Sequence, residues 1–123
     1  MAMTHGEFAK IIERRLYLID SIMLKKQKEY TRGGSAFHNF EEAGKEFNCT
    51  PAESLMGMMA KHYVSLKDIL KDLSEMKNGI LVLTDSKKIG VDITHDYIEE
   101  KIGDLINYLI LLEGLLKDKT NGS

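Results

Sequence analysis

The stretch Thr50-Pro51-Ala52-Glu53-Ser54-Leu55-Met56-Gly57-Met58-Met59-Ala60-Lys61-His62 decides the fold class. Thr50 is an N-cap residue, Pro51 takes the first helical position where its missing N–H costs nothing, and Glu53 stands where a capping-box carboxylate reaches back to the cap. Beyond it, Leu55, Met58, Met59, His62, Leu66, Ile69, Leu70 and Leu73 recur at three- and four-residue steps. That is the period of a helix with one apolar side. The spacing predicts a long helix that continues until Asn78-Gly79 supplies a C-terminal stop.

Working outward from this helix, Phe37, Phe40, Ala43 and Phe47 define a shorter one upstream, stopping at Asn48. Thr31-Arg32-Gly33-Gly34-Ser35 before it reads as a loop, since paired glycines cost helix stability. Further upstream, Thr4 and Glu7 repeat the capping-box spacing, and Phe8, Ile11, Ile12, Leu16, Ile19, Ile22 and Met23 line one face of an amphipathic helix running to about Tyr30. Downstream, Ile80 to Asp92 loses the helical period; Ile80 to Thr84 fits a short strand or a packed loop, and the form of residues 80–93 stays open.

The last helix begins near Thr94 and runs to about Lys117, with Ile98, Ile102, Leu105, Leu109, Leu112 and Leu116 as its main apolar line. Ile106, Ile110, Leu111 and Leu115 lie off that line, so its second half is apolar nearly all round. Such a helix needs cover on both sides, and a homo-oligomer formed through this C-terminal helix is the expected source. Residues 1–123 are thus expected to form a single all-α domain, a four- to five-helix bundle that oligomerises.

Composition bounds the function. The 123 residues are 43% apolar, enough for a core, and 17 Lys plus Arg against 19 Asp plus Glu give a net charge of -2. No global polycation is available, so no nucleic-acid polymer is expected as partner. The single cysteine, Cys49, has no internal partner, and no Cys/His pattern has zinc spacing. A cytoplasmic protein with no membrane segment is the expectation.

Residues able to carry chemistry concentrate in Glu100-Lys101-Ile102-Gly103-Asp104-Leu105-Ile106-Asn107-Tyr108. At about 100° per residue, Glu100, Asp104 and Asn107 fall within about 60° of one another, opposite the main apolar line. Two carboxylates one turn apart suit a divalent cation, and the amide suits a water or a ligand group. A solvated face is the alternative, but Leu111 continues the stripe and Ile106 and Ile110 surround it, which favours a cleft or an interface. Lys25, Lys26, Lys28 and Arg32 gather positive charge around the Gly-Gly loop, where they suit a phosphate or simply complement the negative end of the first helix. Tyr30 and Phe37 flank the loop as stacking candidates, with Phe37 equally a core residue. His62, beside Lys61 on the third helix, reads either as a core histidine or as a phosphate neighbour.

The segment Glu100 to Tyr108 resembles the last metal-binding helix of the phage-type, MazG-like, all-α nucleoside triphosphate pyrophosphohydrolases. Lys28-Glu29-Tyr30 followed by Asn39-Phe40, and Lys61-His62, are similar to segments of the same small phage proteins. The resemblance spans roughly Lys25 to Leu116. It implies hydrolysis of a nucleotide between its α- and β-phosphates, Mg²⁺ as cofactor, and a dimeric or tetrameric assembly. It also implies Glu100 and Asp104 as catalytic and metal-holding residues, with Lys25, Lys28, Tyr30, Arg32, Asn39, Lys61, His62, Asn107 and Tyr108 around the ligand. Glu100 and Asp104 stand four residues apart where that family's motif has three. The family's Glu-Glu-x-x-Glu pattern is replaced between Pro51 and Met76 by scattered Glu53, Asp68, Asp72 and Glu75.

Two expectations of different kinds follow. In one, the chain is a Mg²⁺-dependent pyrophosphohydrolase. In the other, a scaffold that has lost its metal centre captures a nucleotide or cyclic-nucleotide immune signal without cleaving it, as a phage counter-defence sponge in the host cytoplasm would. A plain helical oligomerisation module with no small ligand is a third.

Overall fold

A computed structural model describes residues 2–30, 37–83 and 93–120, apart from the side chains of 26–30 and 119. Among these residues the chain forms four helices, α1 (His5–Tyr30), α2 (His38–Phe47), α3 (Pro51–Asp72) and α4 (His95–Lys119), with a two-stranded hairpin of β1 (Ser74–Lys77) and β2 (Ile80–Leu83) between α3 and α4. The mostly helical class matches the sequence pattern.

Both capping boxes form. The Glu7 N–H donates to Thr4 Oγ1 at 3.1 Å, and the Thr4 N–H donates to Glu7 Oε1 at 3.2 Å. Thr50 and Glu53 make the same reciprocal pair, at 3.1 Å each way. These bonds satisfy donors that a helix start otherwise leaves bare. Thr94 caps α4 by accepting from the Tyr97 N–H at 3.1 Å.

The end of α3 departs from expectation. The helix stops at Asp72 rather than running to Asn78, and residues 74–77 pair antiparallel with 80–83, Ser74 opposite Leu83 and Lys77 opposite Ile80. Asn78 and Gly79 both have positive φ, 51° and 77°. Two consecutive left-handed residues make the turn whose twist matches a two-residue hairpin, so Asn-Gly here joins strands instead of ending a helix. Ile80 to Leu83 is therefore a strand; Thr84 to Asp92 lies outside the described residues.

The core lies where α2, α3 and α4 meet. Phe40, Leu55, Met59 and Leu111 form its centre, with Phe37, Met58, Leu105, Tyr108 and Leu112 packed around it. The α2–α3 corner is tight. Asn48 caps α2 in the left-handed conformation, and the Cys49 N–H donates to the Gly44 carbonyl at 2.9 Å. A Cβ on Gly44 would stand 2.7 Å from the Cys49 carbonyl oxygen, so only glycine fits this buried position.

α1 is arranged differently. It lies along α4, and Met23 reaches the core cluster from its C-terminal half. Phe8, Ile11, Ile12, Leu16, Tyr17 and Leu24, however, are all exposed. α4 buries Leu111 and Leu115 in the chain's own core, which accounts for part of its all-round apolar character, and leaves Ile102, Leu109 and Leu116 open. No helix among the described residues is long and apolar enough to cross a membrane.

Candidate functional site

The polar stripe of α4 lies against α1. Glu100, Gly103, Asp104 and Asn107 line a cleft of about 170 Å³ with Asp96 and Glu99, and its opposite wall is Arg15, Leu18 and Ile22. The stripe therefore faces a concavity built within one chain.

A four-residue period places these side chains. Glu99 and Gly103 share one edge of α4, and Glu100, Asp104 and Asn107 the next. Gly103 is buried, and a Cβ there would fall 2.6 Å from Arg15 Nη1. Its missing side chain is what lets the guanidinium rest on the helix. Arg15 Nη2 donates to the Glu99 carbonyl at 3.0 Å. Its neighbour Arg14 makes a forked pair with the Glu99 carboxylate, Nε to Oε2 and Nη2 to Oε1, both at 3.3 Å. The Glu99 hydrogen bond, and then its charge, hold the Arg14 pKa above the ordinary arginine value. Two adjacent arginines of α1 thus grip one residue of α4 through its side chain and its backbone.

On its other side Asp104 meets α3. Its Oδ2 lies 3.6 Å from His62 Nδ1, with both side chains partly buried. The His62 ring stands against Tyr108, centroids 5.0 Å apart and planes tilted by 32°, and Tyr108 in turn meets Phe40 edge-on at 6.4 Å. One helical turn separates Asp104 from Tyr108, so a single imidazole on α3 touches both. His62 is accordingly neither a plain core residue nor a solvated one. It joins the core aromatics to the cleft carboxylate.

A second concavity adjoins the first. Met3, Ile11, Ile98 and Ile102 give a groove of about 480 Å³ an apolar floor, while Lys10, Arg14, Arg15 and His95 supply cationic or titratable groups around it. Arg15 and Glu99 belong to both cavities. The cleft is acidic and the groove basic, with one guanidinium at the boundary.

The structure brings Glu100, Asp104 and Asn107 to one cleft, while His62 and Tyr108 lie outside its lining and connect to it through Asp104. Lys25, Asn39 and Lys61 have exposed side chains. Arg32 and the side chains of Lys28 and Tyr30 lie outside the described residues. Phe37 packs on the core and against Gly114 of α4, and so acts as a core residue. The sequence reading passed over Arg14, Arg15, Glu99 and Gly103. Their signal was an arginine inside the apolar line of α1, between Ile11 and Ile22, matched by a glycine inside the polar stripe of α4.

The Mg²⁺ implied by the family resemblance requires several carboxylates at one point. Among the described residues no group of three or more His, Cys, Asp or Glu side chains is placed to hold a metal ion. Glu99 is engaged by Arg14 and Asp104 stands beside His62. A two-metal centre, which must offset about four positive charges, does not fit this donor set. Comparison with known proteins finds no family model, no curated protein and no solved structure that matches this chain.

Proposed function

We propose that this chain is a phage-type, MazG-like nucleotide-binding protein that holds a nucleotide or nucleotide-derived molecule across the two adjoining cavities between α1 and α4. The carrying observation is their opposite polarity about a shared Arg15. Carboxylates accept hydrogen bonds, so Glu100 and Asp104 suit ribose hydroxyls or an exocyclic amine, and Asn107 both donates and accepts. Cations attract phosphate, so Arg15, with Lys10 and His95 beyond it, suits the anionic end. The apolar floor under the basic groups suits the ring or sugar edge that a phosphate chain leaves uncovered.

In this reading the ligand is captured and not cleaved, and its support is that the cleft carboxylates among the described residues are not gathered on one metal position. Capture of a cyclic-nucleotide signal in a host cytoplasm is the form such a protein takes as a counter-defence sponge. The placement of Glu100 and Asp104 on one wall favours a second reading, a Mg²⁺-dependent pyrophosphohydrolase.

A panel of nucleoside mono-, di- and triphosphates and cyclic nucleotides, each titrated calorimetrically with Mg²⁺ and with EDTA, separates the two. Capture gives stoichiometric heat in EDTA, and chromatography after denaturation returns the ligand intact. Hydrolysis gives Mg²⁺-dependent turnover to a monophosphate. Asp104→Asn removes one of the cleft's carboxylate charges while keeping the shape, and it should weaken capture at least tenfold with the helical signal unchanged. Absence of heat from every compound would reject nucleotide binding and leave the helical oligomerisation module.

A further inference from the structure

We infer that the larger groove between α1 and α4 seats an aliphatic chain carried on a phosphate ester, so that the ligand is a soluble amphiphilic anion. This deepens the nucleotide reading by naming the group borne beyond the phosphate, and it rests on that reading for the nucleoside half alone. At about 480 Å³ the groove has the size of a small-molecule pocket, whereas the cleft, at about 170 Å³, falls below the usual range of about 300–1,000 Å³. The greater part of any ligand that spans both therefore lies in the groove.

The floor of the groove is aliphatic. Ile98 and Ile102 stand one turn apart on α4, Ile11 lines it from α1, and Met3 lines it from the residues before α1 begins. Ile11 and Ile102 are 49% and 38% exposed, so the chain's own side chains do not fill it. A phosphate chain gains nothing from such a floor, because burial and dispersion reward only apolar partners. A flexible run of methylenes gains from both. Four aliphatic side chains also offer no aromatic plane on which a base would stack.

The rim supplies the complementary charge. Lys10, Arg14 and Arg15 stand against one carboxylate, Glu99, which leaves two positive charges along a groove in a chain whose net charge is -2. Arg14 is committed to the Glu99 carboxylate. Arg15 gives Nη2 to the Glu99 carbonyl, an acceptor with no net charge, so that bond does not neutralise the guanidinium. His95 opens α4, whose positive dipole end adds to the same field. A bare anion would use the rim and waste the floor, and a neutral alkane would do the reverse. An aliphatic phosphate ester uses both, with its phosphate at Arg15, where groove and cleft meet, and its tail along Ile102 and Ile98 toward Met3.

The test is calorimetric titration of the full chain in EDTA with inorganic phosphate and with methyl, butyl, hexyl and octyl phosphates, each below the concentration at which it forms micelles. Affinity should rise about two- to fourfold per added methylene. Ile98→Glu should flatten the series, whereas Lys10→Ala with Arg15→Ala should weaken every member by a similar factor and leave the slope. If circular dichroism shows that Ile98→Glu does not fold, Ile11→Glu, at an exposed position, takes its place. A nucleoside 5′-monophosphate and its hexyl diester, titrated alongside, separate the two readings, and the diester should bind more tightly. A graded alkyl series with no heat from the nucleotide would uphold the groove and reject the nucleotide. A bound nucleotide with a flat alkyl series would overturn this inference alone. Capture by phosphatidate vesicles with no heat from any soluble ester would also overturn it, since a lipid surface would then be the partner. So would a flat series joined by a loss of mass in Ile98→Glu, which would show the groove covered by a second copy.

Discussion

The α2–α3–α4 corner and α1 are built from similar proportions of aliphatic residues, yet one is closed and the other open. In the corner, helices joined by a tight turn point their apolar faces at one another, and Phe40, Leu55 and Leu115 lose nearly all contact with solvent. Along α1, a comparable stripe has chiefly α4 beside it among the described residues, and hydrogen bonds from Arg14 and Arg15 to Glu99 tie the two. A regular apolar period says that a face will be covered. Whether the same chain covers it depends on how many partners the connections bring within reach.

The strongest way to break the comparison is to truncate one residue on each side. Leu55→Ala removes a fully buried side chain and should cost about 2–5 kcal/mol in chemical denaturation, the range for large-to-small core changes. Leu16→Ala removes an exposed one, and under dilute conditions its effect on chain unfolding should stay within about 0.5 kcal/mol. Equal costs in dilute protein would mean that α1 is buried by its own chain after all.

Glycines give a smaller, sharper contrast. At Gly44 an added Cβ meets the Cys49 carbonyl oxygen at 2.7 Å and the Pro51 nitrogen at 3.2 Å. These are backbone atoms of the α2–α3 turn and cannot rotate away. Gly44→Ala should destabilise by about 1–3 kcal/mol, as overpacking does. At Gly57, on the open side of α3, nothing lies within 4 Å of the added atom. Gly57→Ala should therefore stabilise by up to about 1 kcal/mol through helix propensity alone. Thermal melts of the two variants should move in opposite directions.

Much of this architecture was legible in the residues. Thr4 with Glu7 and Thr50 with Pro51 and Glu53 announced two helix starts, because capping is a local event whose parts lie within four residues. Asn78-Gly79 is ambiguous for the same reason. The dipeptide supplies left-handed residues equally to a helix end and to a hairpin turn, and the choice rests on whether Ile80 to Leu83 finds residues 74–77 to pair with. The candidate site divides along the same line. Glu100, Asp104 and Asn107 share a helix face, so their grouping follows from spacing. Arg15 comes to that face from residues 85 positions or so earlier in the chain, through an approach that sequence spacing does not encode. His62 reaches Asp104 and Tyr108 in the same long-range way, from a different helix.

The smallest stability effect and the most specific functional one meet at Gly103. Alanine there favours the helix by about 1 kcal/mol relative to glycine. Its Cβ, however, would stand 2.6 Å from Arg15 Nη1, the far end of a flexible side chain that can swing aside. Swinging aside gives up the bond to the Glu99 carbonyl, a loss of about 0.5–1.5 kcal/mol, so Gly103→Ala should leave the unfolding free energy nearly unchanged. Arg14, paired with the Glu99 side chain, still holds α1 in place. What changes is the position of the one cation shared by the acidic cleft and the basic groove. Calorimetric titration of a bound nucleotide should weaken with Gly103→Ala to about the extent seen with Arg15→Ala. Unaltered binding in both variants would remove Arg15 from the ligand's surroundings, and with it the reason for joining the two cavities into one site.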